Sequence, residues 1–228
     1  MTYDLFIGDR AFSSWSLRGW LMFEKFGLPC RPRMVGLYTG TMAEDLAPLA
    51  PARLVPVMRD AAGIVVGDSL AMAETLAERH PQAGLWPEDP AARALARWLV
   101  AEMHSGFTAL RSACPMQLLH RVEGFTPSDT VRADLARIEE LWSLARARHG
   151  AAGPWLFGRY SLADVFYTPV AARIAGYGLP VSETAAAYVE TCLTDPAFRQ
   201  WRAEGLTVSY DPVPYDMGLP TSPWPFPG

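Results

Sequence analysis

Cysteine is scarce in this chain, with 3 in 228 residues. Cys30, Cys114 and Cys192 lie far apart, without a CxxC pair and without histidines at metal-ligand spacing. They read as buried or idle thiols, and no metal is expected. Lysine is nearly absent as well: the cationic residues are almost all arginine, Lys25 being the exception. No basic run is present that would neutralise a row of phosphates, which excludes nucleic acid as an expected partner. No segment approaches the roughly 20 apolar residues that span a bilayer, and Met1 to Gly8 has no cationic stretch ahead of an apolar run. No membrane association and a cytoplasmic location are therefore expected.

What is present is a chain 50% hydrophobic with a net charge of -4, enough apolar material for a sizeable core in one large or two small domains. Tyr3 to Gly8 reads as a buried strand, and Leu17, Trp20, Leu21 and Phe23 switch to helical spacing after a polar turn, Asp9 to Ser14. Gly27-Leu28-Pro29 stops that helix, and Arg31 to Gly36 reads as a second strand, with Pro32 tolerable near a sheet edge. A parallel pair through a helical crossover follows. A short helix over Met42 to Leu46 precedes two β-rich runs, Leu54 to Arg59 and Ile64 to Val66, which read as an antiparallel hairpin. Asp68-Ser69 then opens a helix carrying Leu70, Ala73, Leu76 and Ala77 and ending at His80-Pro81.

The proline-rich stretch 81–90 reads as a linker between a first domain, 1–80, and a helical one, 91–228. Asp89-Pro90, Thr126-Pro127 and Asp195-Pro196 each set a capping side chain before a proline suited to a first helical position. Leu95, Trp98, Leu99, Met103, Phe107 and Leu110 form one apolar stripe, and Val131, Leu135, Ile138 and Trp142 another. Ser161 and Asp164 have the spacing of a capping box ahead of a buried helix. Val208 to Gly228, rich in Pro, Tyr and Trp, reads as a strap over the helical half.

Three segments carry candidate chemistry. Ser13, Ser14 and Ser16 put hydroxyls in the turn between the first strand and helix, at the sheet edge where open α/β folds bind ligands. Leu54-Val55-Pro56 sets a proline at a strand start, where a cis peptide would leave the Val55 backbone free to pair with an extended peptide-like ligand. Asp68-Ser69 begins a helix whose free amides favour a carboxylate. Each also has a plainer reading, as a helix cap or a strand edge.

In this order, on this frame, the three resemble the glutathione transferase family, and the likeness extends over nearly the whole chain. Ser13 to Leu21 is similar to the serine-type active-site segment of the zeta class, with Trp15 where that class has cysteine. Residues 51–56 resemble the loop leading to the family's cis-proline, and residues 67–71 its glutamyl-binding segment, with Asp68 in place of Glu or Gln. Trp155 to Gly158 followed by Ser161 to Asp164 resembles the capping motif of its helical domain. The resemblance implies an α/β thioredoxin-like N-terminal domain joined to an all-α C-terminal domain, with glutathione as co-substrate and a homodimer.

By the same resemblance, Val55 pairs with the cysteinyl backbone of glutathione beside Trp15, Leu54 and Pro56. Ser69 holds the γ-glutamyl carboxylate and Asp68 the ammonium. Arg53 either reaches the glycyl carboxylate or is simply exposed. Ser13 corresponds by offset to the zeta-class catalytic serine, Ser14 to that of other serine-type classes, and Ser16 caps the helix. Such a hydroxyl, with the helix amides, lowers the thiol pKa from its ordinary ~8.5 and keeps the sulfur nucleophilic. A small electrophile would lie between the domains near Met103, His104, Phe107 and Arg111. His104 is alternatively a packing residue, and Arg111 either snorkels or holds an acidic substrate. Conjugation of an electrophile leads the readings. A glutathione-dependent isomerase or peroxidase, or a non-catalytic glutathione-binding regulator, remain beside it.

Overall fold

The computed structural model describes residues 2–207, 212 and 215–226. It begins with a strand β1 (Tyr3–Ile7) whose alternation buries Tyr3, Leu5 and Ile7 completely on one face. A turn leads into helix α1 (Ser14–Glu24), which returns the chain to a parallel partner, β2 (Cys30–Met34). A short helix α2 (Met42–Leu46) and a 3₁₀ turn precede an antiparallel pair, β3 (Val57–Arg59) and β4 (Val65–Val66), followed by helix α3 (Ser69–Arg79). The sheet order is β2-β1-β3-β4, so Pro32 sits on an edge strand, where its missing N–H costs no ladder bond.

Leu17 and Leu21 of α1 and Met72 and Leu76 of α3 bury against Tyr3, Leu5 and Ile7 in one hydrophobic cluster. Phe6, on the opposite face of β1, packs against a smaller cluster of Val35, Leu46, Leu49 and Val57. Gly19 is obligatory at the contact of α1 with the loop before β3, because a Cβ there would lie 2.7 Å from Pro56 Cβ.

The second half is helical: α4 (Pro90–Ser105), α5 (Thr108–Ala113), α6 (Asp129–His149), α7 (Leu162–Gly176), α8 (Glu183–Thr194) and α9 (Pro196–Gly205). Asp89 and Asp195 cap α4 and α9 as their Asp-Pro pairs predict, accepting from Ala92 N and Ala197 N. Thr126-Pro127 does not start a helix. Ser128 does, accepting from Val131 N, because a capping hydroxyl must stand directly before the first helical residue. The first apolar stripe also needs correction. Trp98 is 54% exposed, donating to Glu102 on the same face of α4 and lying under Arg137 of α6. Phe107 lies past the end of α4, in a left-handed conformation with φ 54°, where it starts α5.

Every residue of α7 is buried. Its start is the capping box read from sequence, and Asp164 does more than cap. Its carboxylate accepts from Ser161 N (2.8 Å), Ser161 Oγ (3.1 Å), Leu156 N (3.1 Å) and the Tyr188 hydroxyl (2.9 Å). Burial pushes this carboxyl up to about 6, against the four donors that pull it down.

Of the C-terminal strap, residues 208–211, 213–214, 227 and 228 lie outside the described residues. The rest runs over the helical half, with β6 (Thr221–Pro223) pairing antiparallel to β5 (His120–Val122) and Trp224 stacked on Phe198 at 6.5 Å. Among the described residues no helix is long and apolar enough to cross a membrane, and no group of His, Cys, Asp or Glu could hold a metal ion.

Candidate active site

The turn after β1 separates the three serines. Ser13 is the N-cap of α1: its Oγ accepts from Ser16 N at 3.2 Å and donates to Ser16 Oγ at 2.8 Å. Ser16 is fully buried inside the first turn, and its Oγ also accepts from Gly8 N at 2.9 Å, which ties the end of β1 to the helix. Ser16 is therefore neither the cap nor able to meet a ligand, because both its neighbours and its burial close it off. Ser14 stands at the first helical position, and its Oγ accepts from Arg173 Nη2 at 3.4 Å. Its own O–H has no acceptor among the described residues.

Ser13 and Ser14 open into a cleft of about 590 Å³ between the sheet and the helices. Phe12 to Trp15, Leu54 to Pro56 and Gly67 to Ser69 line its sheet side. Thr108, Arg111, Ser112, Pro115, Met116 and Arg173 line its helical side, and Tyr38 and Tyr215 complete the lining. The Val55–Pro56 peptide is cis, and Val55 lies outside the paired residues of β3. Asp68 caps α3, accepting from Leu70 N (2.8 Å) and Ala71 N (3.0 Å) through Oδ1, while Oδ2 lies 3.4 Å from His104 Nε2. Ser69 is 1% exposed and its Oγ has no hydrogen-bond partner. An unpaired buried hydroxyl at a helix N-terminus, where amide donors and the positive dipole end converge, fits an anionic oxygen.

The sequence-read residues thus converge only in part. Ser13, Ser14, Trp15, Leu54, Val55, Pro56, Asp68, Ser69 and Arg111 share the cleft. Arg53 is exposed and outside its lining. Met103 is fully buried and Phe107 nearly so, both in the core rather than at the cleft, Met103 on the inward face of α4 and Phe107 at the start of α5. His104 stands behind the cleft wall, edge-on to Trp15 at 5.3 Å, and burial lowers its pKa.

Sequence reading also missed Arg173, a lone cation near the end of α7 and the best available signal for it. Arg173 donates to Cys114 O at 2.9 Å, to Pro169 O at 3.1 Å and to Ser14 Oγ. Arg18 and Arg111 lie over the Trp15 ring, their guanidinium carbons 4.6 and 4.9 Å from its centroid. Burial and neighbouring guanidinium charge hold Arg18 down to about 9 and Arg173 to about 10. Among the described residues none of these three makes an ion pair, so the site is strongly cationic, with Asp68 the acid whose charge acts on Arg18.

Residues 12–79 match the family described as Glutathione S-transferase, N-terminal domain. The described residues have the fold of solved glutathione transferases. The chain superposes on a glutathione transferase homologue from Burkholderia gl BGR1, solved with bound glutathione, with a TM-score of 0.65, 24% identity, and 90% of this chain and 98% of that one covered. A second homologue, from Sulfitobacter and also with bound glutathione, gives a TM-score of 0.62 at 20% identity over 90% and 99%. The match to that domain is confined to residues 12–79, and the superpositions extend the likeness of fold over about nine tenths of the chain.

A probable maleylacetoacetate isomerase of Caenorhabditis elegans is 32% identical to this chain over 114 residues. The match covers 50% of this chain and 52% of that protein, so it spans about half the length of this curated relative.

Proposed function

We propose that this chain is an enzyme that binds glutathione in the cleft and activates its thiol for attack on a small electrophile. The observation that carries this is the facing pair of helix starts: Ser14, whose O–H lacks an acceptor, at the start of α1, and Ser69, whose buried Oγ lacks a partner, at the start of α3. Such a pair suits a ligand with a nucleophilic sulfur at one end and a carboxylate at the other. Between them the Val55 backbone pairs with the cysteinyl unit, and Asp68 Oδ2, which also faces His104 Nε2, receives the γ-glutamyl ammonium. Arg53 takes no part in this proposal. A homodimer and a cytoplasmic location, typical of the family, belong to the same reading.

Calorimetry with glutathione tests it. The protein binds glutathione, and Ser69→Ala weakens binding by about tenfold or more, the loss expected for a hydrogen bond to a charged group. Unchanged affinity in that variant, or no binding by the native protein, refutes the assignment. Turnover separates the enzyme from a silent binder, which would bind without consuming any electrophile.

The cationic wall selects the electrophile. A guanidinium in a low-dielectric cleft without an acid partner is costly, and an incoming carboxylate offsets that cost. Arg111 and Arg173 both line the electrophile's side of the cleft. Electrophiles bearing a carboxylate are therefore turned over with kcat/KM about tenfold or more above neutral analogues of the same reactivity. A preference for the neutral series would remove the arginines from substrate recognition. Isomerisation of an acidic substrate through glutathione is consistent with this preference.

A further inference from the structure

The hydroxyl that meets the sulfur is itself held from the other half of the molecule. We propose that Arg173 is a positioning residue for thiol activation: by donating to Ser14 Oγ, it fixes that oxygen as an acceptor and leaves its hydrogen to point at the glutathione sulfur. This inference rests on the reading of the cleft given above and adds a residue and a role to it.

Four observations converge on it. A serine hydroxyl has one hydrogen and two lone pairs, so the direction of the O–H depends on what its neighbours donate and accept. Ser13 has spent its hydrogen on Ser16 Oγ and one lone pair on the Ser16 amide, so it has no hydrogen left to donate to a ligand. Ser14 receives Arg173 Nη2, and no acceptor among the described residues takes its hydrogen. The guanidinium cannot swing away, because Nε is bound to Cys114 O and Nη1 to Pro169 O, one turn earlier on α7. Arg173 is 5% exposed, in the last turn of α7, a helix whose every residue is buried.

The chemistry follows from this geometry. A charge-assisted donor on the far side of an oxygen draws electron density from its O–H, which makes that hydrogen a stronger donor to a thiolate. No bond to hydrogen breaks at Ser14. The thiol proton leaves to solvent, and the hydroxyl stabilises the sulfur anion that remains. Thiol activation then depends on the docking of α7 against α1, and each half supplies one end of the contact. The angle between the two halves would thereby set the nucleophile's acidity.

The test is a titration of the bound thiol by ultraviolet absorbance of the thiolate, read as a double-mutant cycle. Arg173→Met raises the thiol pKa by about 1 in the native background. It adds nothing in the Ser14→Ala background, because the path to the sulfur runs through that oxygen. An equal rise in both backgrounds would show that the guanidinium acts on the sulfur through its field alone, and no rise in either would remove it from activation. Both results overturn the proposal.

Thermal melts check that the variants fold, and Ser14→Cys gives a readout that keeps Arg173 in place. Its thiol, now beside the guanidinium, is alkylated at neutral pH at least several-fold faster than in the Ser14→Cys, Arg173→Lys double variant. Equal rates overturn the contact. This last measurement needs no glutathione, so an absence of glutathione binding would sink the reading of the cleft while leaving the Arg173–Ser14 contact independently tested.

Discussion

Ser14→Ala leaves bound glutathione mostly protonated at neutral pH and lowers kcat/KM by about 10- to 100-fold, with melting temperature nearly unchanged. The magnitude is that of one hydrogen bond to a developing anion, about 1.5–3 kcal/mol. A free thiol is only a few per cent ionised at pH 7, and stabilisation of that size brings its pKa to or below the working pH. Ser13→Ala behaves in the opposite way. It removes the cap of α1, costs about 1 kcal/mol of stability, and changes the thiol only modestly. Parallel titrations and melts decide the matter: a larger thiol effect from Ser13 than from Ser14 would reverse the roles that the hydrogen bonds give them.

The second large effect concerns stability. Asp164→Ala strips the acceptor from Leu156 N, Ser161 N, the Ser161 hydroxyl and the Tyr188 hydroxyl at once, all of them buried. Each donor left unpaired costs about 1–3 kcal/mol, and partial rearrangement reduces the sum. A loss of about 3–5 kcal/mol is expected, a large part of the stability of an ordinary domain. Urea unfolding measures it as a lower midpoint at an unchanged slope. A shift equivalent to less than about 1 kcal/mol would mean that the network contributes little, despite its geometry.

Features whose causes are local were legible in the sequence. Asp68, Asp89 and Asp195 each announce a helix because the bond that makes a cap joins residues two or three apart. Ser161 and Asp164 did the same for α7, and the parallel pair β1/β2 and the hairpin β3/β4 followed from the lengths of their connections, whereas the pairing of β1 with β3 did not. Thr126 misled because the proline signal pointed two residues early and Ser128 competed for the same role.

What depends on distant partners stayed hidden. Nothing near Arg173 in sequence indicates that it reaches Ser14, 159 positions away. Met103 and Phe107 were placed at the cleft because an apolar stripe shows which face of a helix is buried but not which neighbour buries it. The paired serines were visible as a motif. Their division of labour rests on which lone pair each hydrogen takes, a three-dimensional fact.

The bond from the Gly8 amide to Ser16 Oγ closes residues 9–15 into a loop pinned at its base before any ligand arrives. A peptide entering the cleft meets an already assembled oxygen and spends none of its affinity on ordering that segment. Association at this end is then governed by encounter and desolvation, and glutathione analogues with the same sulfur but altered termini would differ mainly in how fast they leave.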